Sequence, residues 1–194
     1  MTEPGLRERK KLKTREAIRR EAFRLFRDQG YAATTVEQIA AAVEISPSTF
    51  FNYFPNKDAV VLRDDYDPLL LAKYRDQPPE VSPVRALRNA MFEVFSGLSD
   101  EELAAERERQ RLIMSEPELR AALLVEFADL IQQIAAPLAE RVGRTPDDFR
   151  IRLAAGALIG VMMAVMVAAA DDPMVDYLKL MDQGFDFLDK GLTL

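Results

Sequence analysis

The chain contains no cysteine, no histidine and no tryptophan. Without cysteine there can be no disulfide framework, thiol nucleophile, thiolate zinc site or iron–sulfur cluster. Without histidine there can be no Ser-His-Asp triad, H-E-x-x-H site or imidazole base. A metal site would need oxygen ligands alone. The acidic group Asp64, Asp65 and Asp67 reads instead as a solvated turn. No G-x-x-x-x-G-K or G-x-G-x-x-G run offers a phosphate or dinucleotide loop. The expectation is therefore a protein that is not an enzyme and that carries no metal and no cofactor. The lack of cysteine fits a reducing, cytoplasmic location. Met1 to Arg20 is polar and basic, with no apolar stretch of the kind a secretory signal needs.

What remains is an ordinary globular composition. The 194 residues are 48 % apolar and 30 % charged, enough for one large domain or two small ones with a proper core. The net charge of −6 is unevenly spread. Residues 1–57 carry 11 Lys/Arg and 7 Asp/Glu, whereas residues 58–194 carry 15 and 25. A basic head on an acidic body suggests that the head meets a polyanion and the body does not. A solvated helix face would give the same count. One uncharged run, Leu153 to Ala170, has 18 residues and contains Gly156-x-x-x-Gly160. That is close to the lower limit for a membrane span. Seven of its residues are alanine, and Arg150, Arg152, Asp171 and Asp172 flank it, so a buried helix in a bundle is expected, with no membrane.

Start and stop signals divide the chain into helices. Thr35-x-x-Gln38, Ser99-x-x-Glu102 and Ser115-x-x-Glu118 have the form of capping boxes. Ser46-Pro47, Ser82-Pro83, Thr145-Pro146 and Asp172-Pro173 place a cap residue before a first-turn proline. Gly30, Gly97, Gly143 and Gly191 sit where helices should end. No long alternating run of β-branched and aromatic residues suggests strands. The fold class expected is all-α, with nine helices at 7–29, 35–42, 47–54, 57–76, 83–97, 100–114, 116–142, 146–170 and 173–190. The head is expected to occupy 1–57 and the body 58–194.

Within the head, Ile18, Ala22, Leu25 and Phe26 form an apolar stripe on a basic helix. Two short helices follow, separated by Val43-Glu44-Ile45, in the proportions of a helix-turn-helix. In the second of them Phe50 and Phe54 lie four apart and should face the core. That turns Ser48, Phe51 and Asn52 outward, a face with short hydrogen-bonding groups for base edges and an apolar surface for thymine methyls. Tyr53 and Lys57 follow, suited to phosphate contact. The same residues also fit a small helical cap on a larger bundle, with Phe51 in a protein interface.

Residues 12–62, above all Ile39-Ala40 and the run from Ser46 to Lys57, resemble the DNA-binding head of the TetR (tetracycline-repressor-like) family. The resemblance implies an all-helical, dimeric, ligand-responsive transcriptional regulator on double-stranded DNA, with a palindromic operator to match the dimer. It implies that Thr35, Ser48, Thr49, Phe51, Asn52, Tyr53 and Lys57 face DNA. Glu44 departs from the glycine usual in the family's turn, where a left-handed conformation would cost a non-glycine residue roughly 1 kcal/mol. Thr49 to Tyr53 together with Asp64-Asp65-Tyr66-Asp67-Pro68 looks like the branch whose body binds acyl-CoA-like ligands.

In the body, Met174, Leu178, Met181, Phe185, Leu188 and Leu192 are spaced 4, 3, 4, 3, 4, a heptad-type seam that needs another helix against it. The helix before it is apolar nearly all round. The two make a helical hairpin, buried within one subunit or, as the family resemblance favours, paired with its copy in a homodimer through Met174, Leu178, Met181, Phe185 and Leu188. Gly156 and Gly160 would allow close helix approach. Met91, Phe92, Phe95, Phe127, Ile131, Met162 and Met166 are the candidates for an apolar ligand cavity, with Met114, Leu130, Ile134 and Met163 beside them. Methionine suits adaptable pockets. Each could equally be ordinary core. Arg88 and Glu126 border these stripes and could orient a polar ligand group.

Overall fold

The computed structural model describes residues 5–63, 66–172 and 176–192, and every regular element among them is a helix. The chain divides into two compact units, Met1–Arg63 and Asp64–Leu194.

The head consists of α1 (Leu6–Gln29), α2 (Val36–Ala42), α3 (Pro47–Phe51) and α4 (Asp58–Leu62). The stripe on α1 lies inward, with Ile18 and Ala22 at 0 % exposure, and Ile39, Ala40, Phe50, Phe54, Val60 and Val61 of the same unit are buried with it. The expected boundary at Lys57 differs from this arrangement. Ala59, Val60 and Val61 of α4 are buried, and Arg19 of α1 holds the Val60 and Arg63 carbonyls at the end of that helix. The capping box at Thr35 and Gln38 is formed, and the Ser46 hydroxyl accepts from the Thr49 amide. Between them the chain reverses through a Schellman motif. The Ile45 amide donates to the Ala40 carbonyl and the Glu44 amide to the Ala41 carbonyl. This geometry needs a left-handed residue after the helix, and Glu44 takes it with φ 58°.

The body consists of α5 (Asp67–Arg75), α6 (Pro83–Phe95), α7 (Asp100–Ser115), α8 (Pro117–Val142), α9 (Phe149–Asp171) and α10 (Tyr177–Asp189). The helix expected over 57–76 is thus two helices. Pro68, in the first turn of α5, has no N–H to continue a helix entering from the head. The core draws Leu87, Ala90, Met91 and Phe95 from α6, Ala135 and Leu138 from α8, Ala155 and Leu158 from α9, and Met181 and Phe185 from α10. Ser82 and Ser99 cap α6 and α7 as expected. Ser115 does not cap α8: it ends α7, and its hydroxyl donates to the Leu112 carbonyl. Nor does Thr145-Pro146 open α9, whose cap is Asp148, accepting from the Arg150 amide. Asp172-Pro173 and Met174 fall partly or wholly outside the described residues.

By length and composition α8 and α9 could each cross a membrane. In the fold α9 instead buries Ile151, Ala155, Leu158, Ile159 and Val165 in the body. The close approach expected at Gly156 and Gly160 is found at Gly184, where an added Cβ would stand 2.6 Å from Val161 Cγ1. At Gly160 it would meet nothing within 4 Å, and at Gly156 only Ile131 Cδ1 at 3.9 Å.

The left-handed Glu44 yields a stability prediction. Glu44→Gly relieves a steric cost of roughly 1–2 kcal/mol and adds a smaller chain-entropy cost. Urea denaturation should show a gain of about 0.5–1 kcal/mol. A loss of stability would mean that the Glu44 side chain holds the turn.

Candidate nucleic-acid interface and body cavity

Helix α3 has five residues, too few to be stable alone. Its orientation comes from Phe50 and Phe54, both at 0 % exposure, with ring centroids 5.9 Å apart. The Arg15 guanidinium lies 4.4 Å from the centre of the Phe54 ring and donates to the Tyr53 carbonyl. With that face buried, Ser48, Phe51 and Asn52 stand exposed, and Phe51 is 52 % accessible. A phenyl ring beside two short polar groups is suited to a groove edge. Thr35 is exposed at the start of α2, and Thr49 and Tyr53 are half-buried. The Ser46 hydroxyl lies 2.9 Å from Ser48 Oγ and 2.8 Å from Thr49 Oγ1, so the hydroxyl row at the start of α3 is pre-ordered.

Lys57 has a structural duty that the sequence did not disclose. Its ammonium donates to the Tyr31 carbonyl at 2.8 Å and the Thr34 carbonyl at 3.1 Å, and lies 4.0 Å from the centre of the Tyr31 ring. The Tyr31 hydroxyl in turn donates to Asp58. Two of the three ammonium protons are engaged, which leaves one for an outside acceptor. Arg15, Arg19 and Lys57 all serve carbonyls of the head, so part of its positive charge is structural.

In the body, Leu70, Leu71 and Tyr74 of α5, Leu87 of α6, Leu130, Gln133, Ile134, Pro137 and Leu138 of α8, and Met162 of α9 line a cavity of about 60 Å³. Of the residues expected to line one, Met162 does so, with Leu130 and Ile134 beside it. Met91 and Phe95 are packed in the core, and Phe92, Phe127, Ile131 and Met166 are half-buried elsewhere. Arg88 is paired with Asp182 of α10. The cavity has an unusual polar member. Tyr74 is 3 % exposed and its hydroxyl has no hydrogen-bond partner among the described residues. Burial pushes that phenol up to about 12, against a smaller opposing pull from Arg141, so it stays a neutral donor.

Most of the α10 seam is turned into the body's own core, whereas Leu188 and Leu192 also line the open groove on the hairpin's other face. Met181 and Phe185 are 1 % exposed, and Leu178 and Leu188 pack partly buried against the same core. The other face of the hairpin is an open apolar groove of about 690 Å³, lined by Gly160, Val161, Ala164, Ala168, Leu180 and Phe187, among others.

A capped helix-turn-helix head followed by an all-helical body with an apolar cavity defines a DNA-binding regulatory protein. Comparison with known proteins agrees. The family model described as bacterial regulatory proteins, tetR family, matches residues 18–63, and that of the MftR C-terminal domain matches residues 81–193. The transcriptional regulator TcmR of Streptomyces glaucescens is 38 % identical over 170 residues, covering 84 % of this chain and 74 % of TcmR. MftR of Mycobacterium tuberculosis, a regulator named for mycofactocin biosynthesis, is 27 % identical over 88 % of this chain and 87 % of its own. Among solved structures, the TetR-family repressor FadR of Thermus thermophilus, in complex with lauroyl-CoA, is 29 % identical with a TM-score of 0.56, covering 93 % of this chain and 95 % of FadR. The chain belongs to the TetR family and is a DNA-binding transcriptional regulator.

The Lys57 clamp can be tested apart from DNA. Lys57→Met keeps the stem over Tyr31 and removes two charge-assisted hydrogen bonds from partly buried carbonyls. A loss of about 1–3 kcal/mol is expected in urea unfolding. Unchanged stability would show that water replaces the ammonium freely.

Proposed function

We propose that this regulator is a cytoplasmic, dimeric repressor that binds a palindromic operator and is released by a small apolar ligand held in the body. The observation that carries the reading is the outward face of α3, where Ser48, Phe51 and Asn52 stand exposed above a fully buried Phe50 and Phe54. Asn52 and Ser48 read base edges, Phe51 meets thymine methyls, and Thr35, Thr49, Tyr53 and the remaining proton of Lys57 contact phosphates. Two copies join through the open α9–α10 groove, where Gly160 and the alanines of α9 admit a second helix pair. An acyl-CoA-like molecule is the ligand class, supported by the apolar cavity and by the lauroyl-CoA named with FadR. The apolar run Leu153 to Ala170 also admits a membrane-associated or scaffolding helical protein, a reading with no support from the family match, and the relatives are regulators rather than enzymes.

The test is fluorescence anisotropy on DNA from upstream of the protein's own coding region, with and without acyl-CoAs of several chain lengths. Binding should fall steeply with salt. Asn52→Ala should relax the preference at one base pair by about 1–3 kcal/mol. Operator affinity should fall roughly 5- to 150-fold at saturating ligand. No salt-dependent binding to a palindrome would sink the repressor reading; no effect of any acyl-CoA would remove only that ligand class.

The dimer face has its own discriminating pair. Phe187→Glu places a carboxylate in the open groove and should give a folded monomer with little operator affinity. Met181→Glu buries an unpaired charge in the subunit's own core, at a cost of several kcal/mol, and should unfold the body. Sedimentation and circular dichroism separate the two. A dimeric Phe187→Glu protein would place the interface elsewhere.

A further inference from the structure

Tyr74 sits in the last turn of α5 and lines the body cavity with leucines, an isoleucine, a proline and a methionine; the other polar lining residue, Gln133, is exposed to solvent. Its ring is buried, and its hydroxyl is shielded from solvent with no partner for its proton or lone pairs among the described residues. A buried hydroxyl left unmatched costs the free protein free energy that a matched one would not. Core packing alone would be served better by phenylalanine. The nearby Arg141 does not satisfy it. That guanidinium stands 5.5 Å from the centre of the tyrosine ring and donates to the carbonyls of Gln77, Pro78 and Val81. Its charge is therefore already engaged by the linker before α6.

We infer that the Tyr74 hydroxyl is the polar recognition element of this cavity, donating to a neutral carbonyl oxygen on an otherwise apolar ligand, such as a ketone, ester or thioester. The inference rests on the reading of the body as a ligand-binding unit and names the ligand's chemistry. A hydrocarbon would leave the hydroxyl unmatched, as in the free protein. A carboxylate would have to be stripped of water beside mostly apolar side chains, with no cation among the described lining residues. A carbonyl loses less on desolvation and takes the waiting proton. Met162, unbranched and flexible, is the wall residue best able to move as the chain enters.

The test uses two isosteres and one acid: 2-heptanone, 2-methyl-1-heptene, in which a methylene replaces the carbonyl oxygen, and heptanoate. Binding to the full-length protein and to Tyr74→Phe is followed by titration calorimetry. Tyr74→Phe should weaken 2-heptanone about tenfold, the loss of one buried hydrogen bond, and leave 2-methyl-1-heptene unchanged. Heptanoate should bind the native protein more weakly than the ketone. The free variant should melt about 2–4 °C higher, because an unmatched hydroxyl has gone; a purely structural tyrosine would give a lower melting temperature. Equal effects on ketone and alkene, binding of neither, or a preference for heptanoate would overturn the assignment. The same samples, read for DNA binding, separate this inference from the repressor reading. Tyr74-dependent ketone binding that leaves operator affinity untouched would sustain the recognition element and reject this cavity as the inducer site. Operator release by acyl-CoAs with no role for Tyr74 would do the reverse.

Discussion

The recognition surface depends on the burial of Phe50 and Phe54. With only five residues, α3 has no stability of its own, so whatever it presents to a duplex is set by what it buries. Two phenyl rings one turn apart fix its rotation about its axis, and the left-handed Glu44 fixes its approach to α2. Once those are set, the positions of Ser48, Phe51 and Asn52 follow from helix geometry. Arg15, Arg19 and Lys57 complete the head by bonding carbonyls of residues 31, 34, 53, 60 and 63. The positive charge of the head therefore does two jobs, holding the backbone of the unit and giving it an affinity for polyanions.

The body solves a different problem, that of a hairpin apolar on more than one face. The 4-3 seam of α10 goes inward, where Met181 and Phe185 meet α6 and α9 and the flanking pairs Arg85–Asp189 and Arg88–Asp182 tie α10 to α6. Gly184 makes the α9–α10 approach possible, because a side chain there would collide with Val161. With Met181 and Phe185 inward, the small-residue face of α9, Phe187 and the end of the seam at Leu188 and Leu192 stay uncovered, a contiguous apolar groove of the kind that proteins keep for a partner.

How much of this was legible in the sequence follows from the range of each interaction. Caps at Thr35, Ser46, Ser82 and Ser99 act over three residues, so the sequence shows them and the structure has them. Ser115 had the same spacing but was already committed to the last turn of α7, a competition between two helices that spacing alone does not resolve. The outward face of α3 was legible because helical period and two phenylalanines define it. The direction of the α10 seam was not, since a heptad pattern says that a helix must be covered and not by which neighbour. Lys57, Tyr74 and Gly184 act through contacts with residues far away in the chain, with no local signature. Most of the cavity wall has no local signature for the same reason: in sequence α5 reads as the tail of a longer helix, and nothing near Leu70, Leu71 and Tyr74 marks them as lining.

The size of the cavity bears on how a ligand could act at all. A ligand shifts an equilibrium only as far as its affinities for the two arrangements differ. A ready-made cavity that fits its ligand in both arrangements would bind and change nothing. At about 60 Å³ this one is smaller than an extended acyl chain requires, so occupation means displacing wall residues. The wall drawn from α8 includes Pro137, which cannot donate to the Gln133 carbonyl one turn back, and that turn is accordingly softer than its neighbours. Another part of the wall is α5, the first helix of the body, which starts at Asp67, only five positions after α4 ends at Leu62. In a close-packed interior, added volume is taken up by moving whole elements rather than by compression. An arrangement in which α5 has already shifted would accept the ligand without that work, and the free energy saved is the differential affinity that induction needs.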